Sequence, residues 1–109
     1  MSNPIITEQQ LENALLFLAE SDHEYANEKA QLERSNILCK RVRSRIFLAA
    51  TGTVAERSAR AEIEAETEQA DDDYCKTIAK FETLKARRER AEIVVRVYQT
   101  LEATRRTRV

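Results

Sequence analysis

Near the middle of the chain, residues 49–56 read Ala-Ala-Thr-Gly-Thr-Val-Ala-Glu. Gly52 is the only glycine present, and it suits the left-handed residue that closes a helix. Thr53 and Glu56 lie three residues apart and spell a capping box, which predicts that a second helix begins directly after the turn. A turn this short makes its two helices antiparallel neighbours.

The pattern therefore predicts an all-α fold built as one long antiparallel helical hairpin, a two-helix coiled coil that assembles into a helical bundle as an oligomer. We expect a single domain over residues 1–109, with a helix at 8–50, a turn at 51–53, a helix at 54–104 and a basic tail at 105–109.

The composition favours the same class of fold. A chain of 109 residues with one Gly and one Pro cannot make the many turns of an all-β or alternating α/β fold. Fifteen alanines and 34% charged residues are typical of long helices. A chain of this length forms one domain at most and has little room for a large core. The formal net charge of −1 argues for neither nucleic acid nor a membrane as partner.

The first helix has a clear start and one apolar line. Thr7 and Gln10 form a capping box. Six residues then recur at intervals of seven, which indicates one continuous helix with a single buried seam: Leu11, Leu18, Tyr25, Leu32, Cys39 and Ile46. Their companion positions are mixed in character: Ala14, Ser21, Glu28, Ser35, Val42 and Ala49.

The second helix has a comparable seam with three polar exceptions. Its predicted members are Ile63, Thr67, Ala70, Tyr74, Thr77, Phe81, Leu84, Arg88, Ala91, Val95 and Tyr98. Eight of these eleven are apolar, and the exceptions are Thr67, Thr77 and Arg88.

The charges fall into blocks that select the orientation of the helices. Residues 8–33 carry seven acids and one base, whereas residues 34–45 carry five bases and no acid. Residues 54–73 carry eight acids and two bases, and residues 74–109 carry ten bases and four acids. Folding about the turn sets acidic blocks beside basic ones, and a parallel arrangement would oppose like charges. Each exposed pair is worth only ~0.3–0.5 kcal/mol, but together they favour the antiparallel hairpin.

The two cysteines are expected to be reduced. Folding about Gly52 sets Cys39 level with residue 65 and Cys75 level with residue 29, an offset of roughly 15 Å along the helices. A disulfide tolerates only ~7 Å between Cα atoms, so the two thiols cannot pair within one chain.

We find no catalytic residue, no metal ligand and no cofactor site, and we expect that the protein is not an enzyme. His23 is the only histidine, and with Glu20 it has the Glu-x-x-His spacing of di-iron bundles. Such sites need several further carboxylates converging in a buried core, and these are not evident on the seam. An exposed helical histidine is the simpler interpretation.

Basic residues raise a nucleic-acid hypothesis. Lys76, Lys80, Arg87 and Arg90 form a stripe along the second helix, and Arg105, Arg106 and Arg108 lie in the basic tail. Lysine and arginine side chains arranged in this way could contact phosphates. The alternative is that they are solvated faces paired with the acidic blocks. No aromatic residues alternate with these lysines and arginines to stack on nucleobases, so nucleic-acid binding is not favoured.

Two segments are apolar around most of the helix, which predicts a homo-oligomer, most simply a dimer. They are residues 14–19, Ala-Leu-Leu-Phe-Leu-Ala, and residues 93–98, Ile-Val-Val-Arg-Val-Tyr. A helix that is apolar on all sides must be covered on all sides. The predicted interface, with a second copy or another partner, comprises Leu15, Leu16, Phe17, Leu18, Ile93, Val94, Val97 and Tyr98. Residues 46–48 form a smaller apolar cluster that predicts a second contact.

Two stretches of the chain resemble a known group of proteins. Residues 50–61 read Ala-Thr-Gly-Thr-Val-Ala-Glu-Arg-Ser-Ala-Arg-Ala, and residues 81–106 carry an aromatic position followed by a basic end. Both resemble small phage- and prophage-encoded helical proteins in which such a Gly-Thr-Val-Ala-Glu-Arg turn joins two long helices. That family usually has Trp where this chain has Tyr98. The resemblance implies an early-region accessory protein near recombination or replication functions, and it brings no activity and no functional residues.

Together these observations predict a non-enzymatic phage accessory protein that acts through helix-mediated self-assembly and protein–protein interaction, with itself or with a host or phage protein. One alternative is a nucleic-acid-associated accessory of recombination or replication, and another is a counter-defence protein that binds a host immune complex.

No apolar stretch approaches the ~20 residues of a membrane span, and the N-terminus has no signal pattern. We expect the protein in the cytoplasm of the bacterial host cell, with no membrane partner.

Overall fold

A computed structural model describes residues 5–107 of the chain. It contains three helices, α1 (Glu8–Ala49), α2 (Val54–Ile63) and α3 (Ala65–Thr107), and no strand among the described residues. The predicted all-α helical hairpin is therefore confirmed, with α1 as its first arm and α2 followed by α3 as its second.

The predicted capping box of α1 is formed, and Thr53 caps α2 as predicted. The Gln10 amide N–H donates to the Thr7 hydroxyl at 3.1 Å, and the Thr7 amide N–H donates to the Gln10 side-chain oxygen at 2.8 Å. At the turn, the Glu56 amide N–H donates to the Thr53 hydroxyl at 3.1 Å. These bonds satisfy amide groups that have no partner within a helix, so the helix starts are set by local chemistry.

Gly52 has a φ of 114°, in the region that favours glycine, as the sequence predicts. A Cβ atom at this position would lie 2.6 Å from the Glu56 carboxylate oxygen, well inside van der Waals contact. The turn therefore needs glycine both for its backbone conformation and for the space that the capping residue occupies.

The second arm is not one continuous helix, and its bounds differ from the prediction. Glu64 has an extended conformation (φ −66°, ψ 140°) and separates α2 from α3. Thr67 is fully buried, and its hydroxyl donates to the Ala61 carbonyl at 2.6 Å, satisfying a group at the end of α2. Helix α3 continues to Thr107, so Arg105 and Arg106 lie in a helix and not in a tail.

The break at Glu64 alters the predicted seam. Ile63, a predicted seam member, is 80% exposed, and Ala61 is buried in its place. The contact of Cys39 also differs from the predicted register. Symmetric folding about Gly52 would set Cys39 level with residue 65, but its thiol donates to the Ala70 carbonyl at 3.2 Å, five residues farther along.

The buried residues of α1 lie mostly at the companion positions, and α3 also buries the larger Phe81 and Leu84. On α1 the companion positions Ala14, Ser21, Glu28 and Val42 are buried, whereas five of the six heptad residues are half-buried: Leu11, Leu18, Tyr25, Leu32 and Ile46. The predicted apolar line therefore flanks the contact and is not its centre. At Ala14 and Ser21 the small residues allow the backbones to approach closely, and the larger heptad side chains then lie beside the contact.

The described residues form two compact units along the hairpin. Unit 1 contains the described residues up to Ala26 and those from Thr83 onward, and unit 2 comprises Asn27–Glu82. The core of unit 2 contains Cys39, Val42 and Ala70, with Ile46 and Tyr74 packed against it. The buried residues of unit 1 are Ala14, Ser21, Leu84 and Ala91. That the whole chain is one domain stays a prediction.

Candidate functional site

All eight residues of the predicted interface lie in unit 1, and they divide into two groups. Leu15, Leu16 and Ile93 are exposed, by 49%, 56% and 52% respectively. The other five are half-buried: Phe17, Leu18, Val94, Val97 and Tyr98. The structure therefore leaves three large apolar side chains of this set available to a partner and covers much of the rest within the unit.

The aromatic members of the set have partners within unit 1. The Arg87 guanidinium lies over the Phe17 ring, 4.7 Å from its centroid. Partial burial, together with the nearby carboxylates of Glu102 and Glu8, raises the pKa of the Tyr98 phenol. Phe17 and Tyr98 thus contribute to the hairpin itself, and the sequence pattern did not distinguish them from their exposed neighbours.

Arg88, a polar exception on the predicted seam, connects the two arms of unit 1. Its guanidinium donates to the Leu18 carbonyl at 3.0 Å, to the Ser21 hydroxyl at 2.6 Å and to the Asp22 carboxylate at 2.6 Å. It also lies over the Tyr25 ring, 5.1 Å from the centroid. The Arg88 side chain is only 15% exposed. Its charge is tolerated in the seam because the guanidinium has several hydrogen-bond partners on α1.

Arg43 connects the two arms of unit 2, as Arg88 does in unit 1. Its guanidinium donates to Glu62 at 2.8 Å and to Asp71 at 2.6 Å, which joins α1 to both α2 and α3. These hydrogen bonds raise the pKa of Arg43 and hold the pKa of the Asp71 carboxyl below its usual range. Arg45 pairs with Glu66, and the Lys80 ammonium pairs with the buried Glu28 carboxylate at 3.2 Å.

Lys40 and Arg41 differ from these bases because they make no ion pair with any residue between 5 and 107. They lie on α1 beside Ile37, Leu38 and Leu48, which are 48%, 51% and 74% exposed. We call the set Ile37, Leu38, Lys40, Arg41 and Leu48 the basic patch. A shallow groove along α1 is lined by most of this set together with Ser44, Arg45 and Ala49.

The sequence pattern predicted a contact at Leu48 but did not identify Ile37 and Leu38. Of the predicted cluster at residues 46–48, only Leu48 is exposed. Ile46 packs against the core of unit 2, and Phe47 lies under the Arg57 guanidinium at 4.2 Å. Helical spacing could have identified this face of α1. Successive intervals of four and seven residues place Ile37, Arg41 and Leu48 together, opposite the seam.

Unit 1 has an acidic counterpart on the same helix. Leu15 and Leu16 lie beside Glu8 and Glu12, which are both exposed. Within the described part of the chain Glu12 makes no ion pair. We call Glu8, Glu12, Leu15 and Leu16 the acidic patch. By their spacing Glu12 and Leu16 face away from α3, because the buried positions of this segment are Ala14 and Ser21.

The candidate nucleic-acid residues are distributed over both units. Lys76 and Lys80 lie in unit 2, and Lys80 is occupied by Glu28. Arg87, Arg90, Arg105 and Arg106 lie in unit 1, where Arg87 covers Phe17 and Arg105 pairs with Glu102 at 3.1 Å. The seventh candidate, Arg108, lies outside the described residues.

The groups with potential for chemistry are dispersed. Cys39 is buried, and desolvation raises the pKa of its thiol, whereas Cys75 is exposed. Both thiols are free. His23 is exposed, and no group of three or more His, Cys, Asp or Glu side chains over residues 5–107 is placed to hold a metal ion.

Comparisons with known proteins bring no relative to this chain: no family model, curated protein or solved structure matches it. None of the described helices is long and apolar enough to cross a membrane.

Proposed function

We propose that this protein is a non-enzymatic phage accessory protein that acts through helix-mediated self-assembly and protein–protein interaction. The observation that carries the proposal is the exposure of large aliphatic side chains in a unit that buries mostly small ones. Leu15, Leu16 and Ile93 are each about half exposed or more, while three of the four described buried residues of the same unit are small: Ala14, Ser21 and Ala91, beside Leu84.

The energetic reason is the limited burial within one chain. Removing apolar surface from water stabilises a fold by about 25 cal/mol per Å². Alanine and serine contribute little of that area, so a unit that buries mostly such residues gains much from covering its larger exposed side chains. A second helical surface would bury these exposed side chains and thereby stabilise the hairpin.

The phage part of the proposal rests on the resemblance of residues 50–61 and 81–106. Such a protein would work by occupying a surface of itself, of a host protein or of a phage protein. Affinity capture from phage-infected cells, with the Leu16→Glu variant as the matched bait, tests for a second protein. A partner retained by the wild type and lost from the variant would support an interaction through this surface.

Self-assembly is tested by measuring the solution mass by light scattering. We expect the wild type to be a dimer, and we expect Leu16→Glu combined with Ile93→Glu to lower the mass towards that of a monomer. Val54→Glu is the matched control, because Val54 is 68% exposed and lies outside unit 1. A wild type that stays monomeric at high concentration would contradict self-assembly.

A second candidate is a nucleic-acid-associated accessory protein. It is favoured by Lys76, Arg90 and Arg106, which make no ion pair within the described range. A gel shift that weakens steeply with salt, and that is lost in Lys76→Glu with Arg90→Glu, would support this alternative. Binding that is unaffected by these substitutions would argue against it.

A further inference from the structure

The acidic patch and the basic patch have complementary chemistry. Each patch combines aliphatic side chains that are about half exposed or more with at least one charge that has no ion-pair partner within residues 5–107. The surrounding sequence extends the contrast, because residues 5–28 contain six acids and no Lys or Arg, whereas residues 34–55 contain five bases and no acid. Each patch therefore presents one sign of charge around an apolar centre, as partner-selecting helix surfaces do.

We propose that the acidic patch of one copy docks on the basic patch of a second copy, with the two α1 helices antiparallel. The inference rests on the proposed self-assembly and names the surfaces that perform it. When Leu16 of one copy lies level with Ile37 of the other, antiparallel order also sets Glu12 level with Arg41. One register thus pairs an aliphatic residue with an aliphatic residue and an acid with a base.

The chain itself favours a second copy over another occupant. Both patches lie on α1, so two copies related by a two-fold axis can exchange the same contact in both directions. Leu15 and Leu38 then flank the central pairs and add apolar area. The phosphates of a nucleic acid would contact the Lys40 and Arg41 side chains, but they would leave the aliphatic side chains of the basic patch in water. The acidic patch would repel them.

The central test reverses the two unpaired charges one at a time. Glu12→Arg places like charges opposite Arg41, and Arg41→Glu places like charges opposite Glu12. Either single variant should weaken the dimer by roughly tenfold or more, because a two-fold interface meets each reversal twice. Since neither side chain has an ion pair within residues 5–107, both variants should retain the helical circular dichroism of the wild type.

Mixing the two single variants gives the sharpest result. In a mixed dimer the arginine introduced at position 12 of one copy faces the glutamate introduced at position 41 of the other. The second contact joins the unchanged Arg41 and Glu12, so both contacts are again complementary. We expect heterodimers to form in the mixture under conditions where each variant alone is monomeric. The double variant Glu12→Arg with Arg41→Glu should dimerise by itself for the same reason.

Matched controls are Glu89→Arg and Lys76→Glu, which reverse exposed charges on α3 outside both patches. They should leave the dimer unchanged. A wild-type dimer that is insensitive to reversal at Glu12 and Arg41 overturns this inference and leaves the proposed self-assembly standing. A monomeric wild type overturns both, and single variants that are weakened but fail to associate in the mixture overturn the antiparallel pairing.

Discussion

Three polar residues on the predicted seam of the second arm show how single side chains are used in this hairpin. Thr67, Thr77 and Arg88 interrupt an otherwise apolar pattern. In the structure the Thr67 hydroxyl bonds to Ala61, Thr77 lies 3.3 Å from the Ser35 hydroxyl, and Arg88 binds three groups of α1. A buried polar group costs little when it is fully paired, so these residues fit the seam.

Arg88→Lys should destabilise the protein by about 1.5–3 kcal/mol, the usual range for hydrogen bonds that involve a charged group. Lysine keeps the charge but lacks the planar fork that reaches the Leu18 carbonyl, Ser21 and Asp22 together. Urea unfolding followed by circular dichroism measures the effect. Arg90→Lys is the control, since Arg90 is exposed, and equal midpoints for the two variants would contradict the role assigned to Arg88.

The two thiols should differ in reactivity. Cys75 is exposed and should react with a disulfide reagent at once, whereas Cys39 is buried and its raised pKa disfavours the reactive thiolate. In Cys75→Ser the single remaining thiol should react only as the protein unfolds, and more readily as the pH rises. Rapid labelling of native Cys75→Ser at neutral pH would show that Cys39 is accessible.

At the scale of the element, the turn between α1 and α2 depends on one residue. Gly52 combines a positive φ with the absence of a Cβ atom next to Glu56. Its neighbours Thr53 and Glu56 provide the cap of α2, so the end of one helix and the start of the next are coupled within a few residues.

Gly52→Val should lower the free energy of unfolding by about 1 kcal/mol or more, because a β-branched residue is strained at positive φ. The added Cβ would also displace the Glu56 carboxylate and weaken the cap. Chemical denaturation measures the loss, and Thr51→Val serves as a neighbouring control that is exposed in the same turn. A Gly52→Val variant as stable as the wild type would mean that the turn readily adopts another conformation.

For the whole molecule, ion pairs between the two arms agree with the charge blocks of the sequence. Basic residues of α1 meet acids of α2 and α3 in unit 2, and in unit 1 a base of α3 meets an acid of α1. These pairs are Arg43–Glu62, Arg43–Asp71, Arg45–Glu66 and Arg88–Asp22. The blocks thus favour the antiparallel orientation even though each exposed pair is weak.

These ion pairs predict a loss of stability in acid. Arg43 lowers the pKa of Asp71 below its ordinary value of 3.8, so the contribution of this pair is fully present above that value. It is lost as the pH falls through the lower pKa of the folded state, where the carboxylate takes up a proton.

We therefore expect Asp71→Asn to melt at a lower temperature than the wild type at neutral pH, with the difference disappearing in strong acid. Asp72→Asn is the control, because Asp72 is an exposed neighbour on α3. A difference between Asp71→Asn and the wild type that persists unchanged at low pH would show that the loss does not come from the charge.

Local features of the sequence determine the helical class, the position of the turn, the N-caps at Thr7 and Thr53 and the antiparallel orientation. Caps and turns act within a few residues, and the charge blocks act over long stretches, so each can be recognised without knowing which residues meet. The exposure of Leu15 and Leu16 was also predictable in part, because residues 14–19 are apolar on every face and one face must point away from the seam.

Only the tertiary structure shows the break at Glu64 and the contacts between the two arms. The Thr67 hydroxyl satisfies Ala61, Ile63 turns outward, and Cys39 meets Ala70 in place of residue 65. The basic patch likewise emerges because Arg43 and Arg45 find acids across the hairpin while Lys40 and Arg41 do not. Each of these outcomes depends on which side chains of two distant segments come into contact, and a helical period alone does not contain that register.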